Sequence, residues 1–326
     1  MTSAQTLEAQ AVQTLFELPS RPLPHGAVAF GNFDGVHLGH RALLAELHKL
    51  ATGRPGGVTV VTFWPHPLSV LRPAAAPPMV DTLRGRLAWL ERYGAERVLV
   101  LRFDAELAAR PAEWFAREVL FGALGAGVLV AGEDARFGHR GEGDLALLRR
   151  CAGEAGATVQ LFDQVANGDA PISSSRIRQL VAAGDVRSAA ALLGRPFCLH
   201  GKVVHGDARG GTIGFSTANL DAPDQVQPAA GVYASRLQID GQLLDGVTNA
   251  GRRPTVGGQD WRVETHVPGW SGDLYDREVS LHLIAYIRPE VRFEGVQELK
   301  AQIGRDSAQA MQILASLPPG PLTSCT

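Results

Sequence analysis

The sequence is poor in the features that mark secreted and membrane-bound proteins. Its three cysteines, Cys151, Cys198 and Cys325, are far apart in 326 residues. They form neither an even disulfide framework nor the close spacing of a zinc site, so a reducing compartment is favoured. No run approaches the roughly 18 apolar residues that a membrane span needs, and the first twenty residues do not resemble a signal peptide. We therefore expect a cytoplasmic protein with no membrane partner.

An excess of charge of one sign is also missing. Lys and Arg total 31 and Asp and Glu total 33, which gives a net charge of −2 with His neutral. A nucleic-acid-binding domain usually carries a basic stripe or patch, so no nucleic-acid partner is expected. Because the chain has no net positive charge, any anion must be bound by a local cluster of polar or charged groups. Beyond a weak or transient homo-oligomer, the sequence predicts no oligomeric state.

The first half of the chain alternates short apolar runs with helical patterns. This pattern predicts a parallel sheet covered on both faces, in a doubly wound α/β domain over residues 1–184. The Pro-rich stretch Arg72–Pro78 is expected to be a loop without regular structure. The predicted strands are 27–30, 58–63, 98–103, 128–131 and 158–162.

The second half, residues 185–326, has alternating strands separated by turns. Val232–Ile239 and Gln242–Thr248 flank Asp240-Gly241, which is typical of a tight hairpin turn. A long strand over Val279–Ile287 and a helix over Val296–Leu314 follow. This half is predicted to be an antiparallel barrel or sandwich with a terminal helix, and we favour an antiparallel β-barrel.

A glycine-bracketed turn with two histidines follows the first predicted strand. Gly31 and Gly35 permit a sharp turn, and ligands of open parallel sheets lie beyond the carboxyl ends of strands. His37 and His40 are three apart and would share one face at a helix N-terminus, an end that favours anions. This arrangement predicts a phosphate clamp. The alternatives are metal ligation and a structural role for the histidines.

Two later segments are expected at the same edge of the sheet. GEDARFGHRGEGD begins at Gly132 after the fourth strand, and ISSSRIR begins at Ile172 after the fifth. Ser173–Ser175 can cap a helix, and Arg176 and Arg178 can reach phosphates with planar donor groups. The alternatives are a polar loop for the first segment and a capped helix with solvated arginines for the second.

These motifs together resemble a known family. GNFDGVHLGH carries the HxGH element of nucleotidyltransferases, and with TFWPHP, GEDARFG and ISSSRIR it resembles the FMN adenylyltransferase module of bacterial bifunctional riboflavin kinase/FAD synthetases. Ala135 departs from that pattern, where an aromatic residue is common. The resemblance assigns ATP and its phosphates to Gly31, Asn32, Phe33, Asp34, Gly35, Ser174, Ser175, Arg176 and Arg178. It assigns flavin or nucleotide contacts to Phe63, His66, Asp134, Arg136 and Phe137, although His66 can instead cap a loop.

A glycine-rich segment, GKVVHGDARGGTIGFSTANL, begins at Gly201. Its backbone amides could surround phosphates, although it lacks the P-loop pattern. Thr217 and Asn219 are two apart and point the same way on an extended segment, and their oxygens are hard ligands suited to Mg²⁺. The alternative is a glycine-rich hairpin with two satisfied polar residues. The predicted ATP-binding glycines are Gly201, Gly206, Gly211 and Gly214.

GVYA, NAGRRPT, VETH, DLY and RPEVRF follow in order and resemble the riboflavin kinase module of the same family. The resemblance places magnesium on Thr217 and Asn219, and the catalytic carboxylate on Glu264. Flavin contacts are predicted for Arg288 and Phe293, although Arg288 can instead brace the terminal helix through Glu298 or Asp306. The departures are Ser216, where the family has proline, and Pro268-Gly269.

The resemblance implies two reactions. The second domain would phosphorylate riboflavin to FMN with ATP and Mg²⁺, with Glu264 as the base. The first would join FMN to the α-phosphate of ATP, giving FAD and pyrophosphate, with His37 and His40 as donors to the triphosphate. The alternatives are an adenylyltransferase with a kinase-inactive barrel, for which Ser216 is the motive, and a non-enzymatic flavin-sensing regulator.

Overall fold

A computed structural model of the protein describes residues 12–168, 170–204, 217–222, 224–255, 258–270 and 274–317. The chain divides into two units. Unit 1 comprises Met1–Pro77 and Arg86–Pro171, and unit 2 comprises Pro78–Gly85 and Ile172–Thr326. Within the described residues, no helix combines the length and the apolar character needed to cross a membrane.

Unit 1 is built on a six-stranded sheet in which every neighbouring pair is parallel. The sheet order is β1-β4-β3-β2-β5-β6, and the sheet confirms the predicted parallel architecture. Strand β1 had no counterpart in the sequence prediction, because three residues carry no readable periodicity. The strands are β1 Gln13–Leu15, β2 Gly26–Phe30, β3 Val58–Trp64, β4 Arg97–Arg102, β5 Ala126–Ala131 and β6 Thr158–Leu161, and a separate pair is formed by β7 Ala166–Asn167 and β8 Ala170–Pro171.

Helices connect the strands of unit 1. They are α1 Leu38–Ala51, α2 Pro67–Leu71, α3 Leu83–Arg92, α4 Ala105–Ala109, α5 Ala112–Trp114, which continues as a π-helix over Phe115–Ala123, and α6 Leu145–Glu154. The first residues of α3, up to Gly85, belong to unit 2. The prediction that Arg72–Pro78 has no regular structure was wrong, because Pro73–Ala75 forms a 3-10 turn. Proline at its first position suits a helical start, since the fixed φ is already helical.

The strand order of unit 1 determines where a ligand can bind. The chain runs outward from β2 through β3 to β4, and then returns to the other side of β2 for β5 and β6. The connections that follow β2 and β5 therefore diverge at the carboxyl edge of the sheet. Such a switch point leaves a crevice in open α/β sheets, and the segments after β2 and β5 are those with the predicted site residues.

Unit 2 is a closed barrel of six strands in the order β10-β13-β12-β11-β14-β9, with every neighbouring pair antiparallel. It confirms the predicted barrel. The hairpin turn Asp240-Gly241 has positive φ at both residues, as predicted. The strands are β9 Phe197–Val204, β10 Thr217–Asp221, β11 Gly231–Ile239, β12 Gln242–Thr255, β13 Gly258–His266 and β14 Glu278–Arg288.

Besides the start of α3, the described part of unit 2 has the helices α7 Ser174–Ala182, α8 Val186–Leu193 and α9 Val296–Ala315. The terminal helix α9 places Ala310 and Leu314 in a core cluster with Val232, Val247 and other apolar barrel residues. The sequence prediction divided the chain between residues 184 and 185, in the connection between α7 and α8. The units of the structure instead divide at Pro171 and Ile172.

The segment Pro78–Gly85 belongs to unit 2 although it lies in the first half of the chain. Met79 forms a parallel bridge with Gln225, whose side-chain amide donates to the Val80 carbonyl at 3.0 Å. Asp81 is buried and forms an ion pair with Arg195, with an N–O distance of 2.8 Å. These contacts join residues more than a hundred positions apart, so no local pattern could predict them.

Candidate active sites

The turn after β2 places both predicted histidines at the start of α1. His37 is the N-cap residue, and its Nδ1 accepts a hydrogen bond from the His40 backbone N–H at 3.4 Å. The two imidazole rings are stacked, with centroids 3.7 Å apart. Because Nδ1 accepts, the proton of a neutral His37 ring is on Nε2. The structure thus brings the two histidines together as predicted.

The backbone of this turn adopts an uncommon conformation. Gly35 has a φ of 80°, which glycine adopts without steric cost. Phe33 and Val36 also have positive φ, of 49° and 32°, and both side chains are buried. The Phe33 ring lies 4.9 Å from the His40 ring, centroid to centroid. The side chain of Phe33 therefore supports the histidine, and its predicted role toward ATP stays a prediction.

Asp34 lies inside the protein beneath the same turn. Its carboxylate forms an ion pair with Arg86 of α3, with an N–O distance of 3.7 Å, and both side chains are 1% exposed. The predicted contact between Asp34 and phosphate stays a prediction. Sequence reasoning missed Arg86, because nothing in its local pattern distinguishes it from a solvated helical arginine.

A cleft of 1160 Å³ opens at the carboxyl ends of β2 to β5. The residues after these strands that line it include six of the predicted set: Gly31, Asn32, Phe63, Asp134, Arg136 and Phe137. Aromatic side chains that the prediction missed also line it: Phe30, Phe103, Trp114 and Phe115. Ala135 is part of the lining too. An aromatic side chain, which is common at this position in the family, would therefore face this cleft. The lining combines aromatic side chains, which suit a flat ring system, with polar and cationic groups.

His66 and Asp134, which are predicted to contact nucleotide or flavin, form hydrogen bonds within the protein. His66 is the N-cap of α2, since its Nδ1 accepts from the Leu68 N–H at 3.1 Å, and its Nε2 lies 3.3 Å from the Asn32 amide nitrogen. The loop-capping alternative for His66 is therefore present, together with a contact to a second predicted residue. Asp134 accepts a hydrogen bond from Gln164 at 3.3 Å. Their roles toward a nucleotide or flavin stay predictions.

The segment ISSSRIR forms the start of α7 and is placed in unit 2. Ser173 is the N-cap, accepting from the Arg176 N–H at 3.2 Å. Ser174 and Ser175 are the first two residues of the helix. Arg178 donates to the Pro78 carbonyl at 2.8 Å. These residues belong to unit 2, and their approach to the phosphates of ATP stays a prediction.

The barrel places two predicted kinase residues, Asn219 and Glu264, in one row that continues onto a third strand. Asn219 of β10 is paired with Glu264 of β13, which is paired with Asn249 of β12. Directly opposite residues in antiparallel strands project from the same face. The Asn219 side chain is buried, and its Oδ1 accepts no hydrogen bond from any described residue. A buried amide oxygen without a donor fits a cation, because leaving it unsatisfied is costly. Thr217, two residues earlier, projects from the same face.

Only part of the glycine-rich segment lies within the described residues. Gly206, Gly211, Gly214 and Ser216 lie outside the described residues, as does Asp273 of the DLY motif. Gly201 is within β9, where a Cβ atom would lie 1.9 Å from the Asp221 carbonyl oxygen. Glycine is required there for close pairing of β9 and β10, and a contact with ATP stays a prediction. A second cleft, of 370 Å³, lies beside these strands and is lined by residues that include Asn219, Trp261 and Arg262.

Arg288 braces the terminal helix, which is the alternative that the sequence left open. Its Nε and Nη2 donate to the two carboxylate oxygens of Asp306 on α9, at 2.9 and 2.6 Å. Its guanidinium also lies 5.9 Å from the centroid of the Phe293 ring. This two-point ion pair braces the terminal helix against the end of β14. Flavin contacts by Arg288 and Phe293 stay predictions.

A parallel sheet with two histidines at a helix N-terminus, in one chain with a barrel that has a carboxylate and a candidate cation ligand, fits an enzyme with two nucleotide-using transferase sites. Family models agree with this division: the model for FAD synthetase matches residues 21–176, and the model for riboflavin kinase matches residues 193–314.

Individual relatives span both units. The bifunctional riboflavin kinase/FMN adenylyltransferase of Escherichia coli strain K12 is 39% identical over 309 residues, which cover 94% of this chain and 99% of that protein. Its counterpart in Bacillus subtilis strain 168 is 32% identical and covers 89% of this chain and 93% of its own. The chain belongs to the family of bifunctional riboflavin kinase/FMN adenylyltransferases.

A solved structure has the same architecture. A crystal structure described as a macrolide-efflux protein from Streptococcus pneumoniae matches with a TM-score of 0.80 and 29% identity. The match covers 93% of this chain and 99% of that one. The similarity therefore extends over both the α/β unit and the barrel unit.

Proposed function

We propose that this chain makes FAD from riboflavin in two steps. Unit 2 transfers the γ-phosphate of ATP to riboflavin and forms FMN, and unit 1 transfers the adenylyl group of ATP to FMN and releases pyrophosphate. The observation that carries this proposal is that both family models match this chain in the order of its two units, the FAD synthetase model over residues 21–176 and the riboflavin kinase model over residues 193–314.

In unit 1, the FMN phosphate would attack the α-phosphorus of ATP while the bond to pyrophosphate breaks. This nucleophile is already an anion, so the site needs alignment and charge stabilisation more than a base. His37 and His40 stand at the N-terminus of the 14-residue helix α1, whose free N–H groups favour phosphate. The aromatic wall of the larger cleft would hold the flavin ring.

In unit 2, a ribityl hydroxyl would lose its proton to Glu264 as its oxygen bonds to the γ-phosphorus. A hydroxyl is a weak nucleophile, and a carboxylate within hydrogen-bond reach can take this proton. Thr217 and Asn219 would hold Mg²⁺, and the unsatisfied Oδ1 of Asn219 supports this assignment. When bound, Mg²⁺ would neutralise charge on the transferring phosphates.

We further propose that the protein works in the cytoplasm on the small molecules riboflavin, FMN and ATP, without nucleic-acid or membrane partners. Cys151 and Cys198 are buried thiols outside any disulfide, which suits a reducing compartment. The balanced charge of the chain gives no electrostatic reason to bind a polyanion.

The test is a time course with purified full-length protein, riboflavin, ATP and Mg²⁺, in which riboflavin, FMN and FAD are separated by chromatography. FMN that rises and then gives way to FAD is the expected result. FAD from supplied FMN, without product from riboflavin, would restrict the function to unit 1. That outcome is the second candidate, and Ser216 in place of the family proline is the observation that favours it. Flavin binding without any turnover would contradict both.

A further inference from the structure

A buried ion pair lies directly beneath the turn that carries the two histidines. Asp34 and Arg86 are each 1% exposed, with 3.7 Å between Oδ1 and Nη2. Charges this deeply buried are costly unless each has a partner. A carboxylate in this position would also repel the triphosphate if it faced the ligand. Its ion pair with Arg86 instead indicates that this carboxylate supports the protein structure.

Arg86 also joins the ends of two neighbouring strands. Its Nη1 donates to the Thr62 hydroxyl and to the Phe63 carbonyl, both at 3.2 Å. The Thr62 hydroxyl in turn donates to the Asn32 carbonyl at 3.0 Å. The Trp64 ring, with its centroid 5.4 Å from the guanidinium carbon, covers the arginine. One guanidinium therefore connects the end of β3 with the turn that follows β2.

That turn needs support because its backbone is strained. Phe33 and Val36 have positive φ angles, which are uncommon for residues with a Cβ atom and rare for a β-branched one. Such conformations are costly and persist only where the surroundings impose them. Asp34 lies between the two strained residues, and His37 directly follows the second. The position of the histidines therefore depends on how the turn is held.

We propose that Asp34 and Arg86 are positioning residues for adenylyl transfer. They hold residues 31–36 in the conformation that presents His37 and His40 to the triphosphate, and they do not contact ATP or FMN themselves. The proposal rests on the proposed adenylyltransferase function of unit 1. Since small displacements of aligned groups can lower a rate by about a hundredfold, loss of either residue should reduce kcat while KM changes little.

The experiment compares Asp34→Asn, Arg86→Met, the double variant and Arg86→Lys in the full chain, with FMN and ATP as substrates. Riboflavin phosphorylation by the same samples shows whether unit 2 is still active in each variant. Each neutral single variant is expected to lower kcat for FAD formation by about a hundredfold, with KM within about threefold. The double variant should be no worse than the singles, because the two residues act as one unit. Arg86→Lys keeps the charge but loses the planar fork, so about a tenfold loss is expected.

Arg97→Met is the matched control. Arg97 also connects β3 and β4, donating to the Thr59 hydroxyl at 3.4 Å, but it lies at the amino ends of these strands. Its loss should leave kcat for FAD formation within about threefold of the wild type, because the turn after β2 is not disturbed.

Several results would overturn the proposal. One is a raised KM for ATP with unchanged kcat, which would indicate a direct contact with ATP. A second is a loss of kcat in the double variant that equals the product of the losses in the two single variants. A third is a wild-type kcat for Arg86→Lys. Where a neutral single variant fails to fold, the double variant and Arg86→Lys decide, since neither leaves one buried charge alone. A wild-type protein that makes no FAD from FMN would instead refute the proposed function.

Discussion

The imidazole rings of His37 and His40 are stacked, with centroids 3.7 Å apart and planes inclined by 15°. A backbone hydrogen bond from the His40 N–H to the His37 ring fixes this arrangement at the first turn of α1. The two side chains therefore lie together at a helix N-terminus. In the proposed adenylyl transfer, donors held in this way would stabilise developing phosphate charge without reorganisation during the reaction.

Loss of the second histidine should affect one activity only. His40→Ala is expected to lower FAD formation from FMN by about a hundredfold or more, comparable with loss of an oxyanion-hole donor, and to leave riboflavin phosphorylation nearly intact. His48→Ala, at an exposed position in the last turn of the same helix, is the matched control. An unchanged rate of FAD formation in His40→Ala would contradict the assignment.

The carboxylate of Glu264 should matter only for the kinase. Glu264→Gln keeps the shape and the hydrogen-bonding ability of the side chain but cannot take a proton from the ribityl hydroxyl. We expect FMN formation to fall by about 10²- to 10⁴-fold, the range for loss of a general base. Single-turnover formation of FMN measures the chemical step. Glu278→Gln, an exposed residue at the start of β14, should retain activity. Equal loss in both variants would contradict a role as base.

Asn219 should set the magnesium requirement of the kinase. Asn219→Ala removes the buried amide oxygen that lacks a donor, and it is expected to raise the Mg²⁺ concentration for half-maximal FMN formation by about tenfold, in line with the loss of a ligand. Thermal protection of the protein by Mg²⁺ with ADP gives a second readout that needs no turnover. FAD formation by the same variant should keep its wild-type Mg²⁺ dependence. An unchanged requirement in both reactions would remove Asn219 from the metal site.

Features that depend on neighbours in the sequence could be predicted, and those that depend on distant partners could not. The turn of Gly31 and Gly35 and the spacing of His37 and His40 are local signals, and the structure brings the histidines together as expected. The periodicity of the strands likewise predicted the parallel sheet and the barrel. Arg86 is different, because its partners are brought to it only by the packing of α3 against the ends of β2 and β3.

The wrong prediction for Arg72–Pro78 and the missing prediction for the segment that follows it have different causes. A Pro-rich stretch signals a break in regular structure, but proline is also favoured at the first position of a short helical turn, as at Pro73. The membership of Pro78–Gly85 in unit 2 rests on contacts such as Asp81 with Arg195. No local sequence pattern relates a residue in the first half of the chain to a barrel formed by the second half.

His282 is a buried histidine in the barrel of unit 2. It is 2% exposed, and its Nε2 lies 3.4 Å from the Gln238 side-chain oxygen. Burial, followed by the charges of His200, Arg195 and Arg236, lowers the pKa of His282 to about 3. The folded protein therefore keeps this ring neutral where a histidine in an unfolded chain, with a pKa of about 6.5, is protonated.

This difference predicts how unit 2 responds to acid. As the pH falls below about 6.5, the unfolded chain takes up a proton at His282 and the folded chain does not, so the free energy of unfolding decreases until the pH reaches about 3. At pH 5 the loss relative to neutral pH is on the order of 2 kcal/mol. His282→Gln should remove this part of the pH dependence, whereas His48→Gln at an exposed site should keep it. Calorimetric unfolding at pH 7 and pH 5 measures the difference, and an identical pH dependence in His282→Gln and the wild type would show that the buried ring is protonated in the folded state as readily as in the unfolded chain.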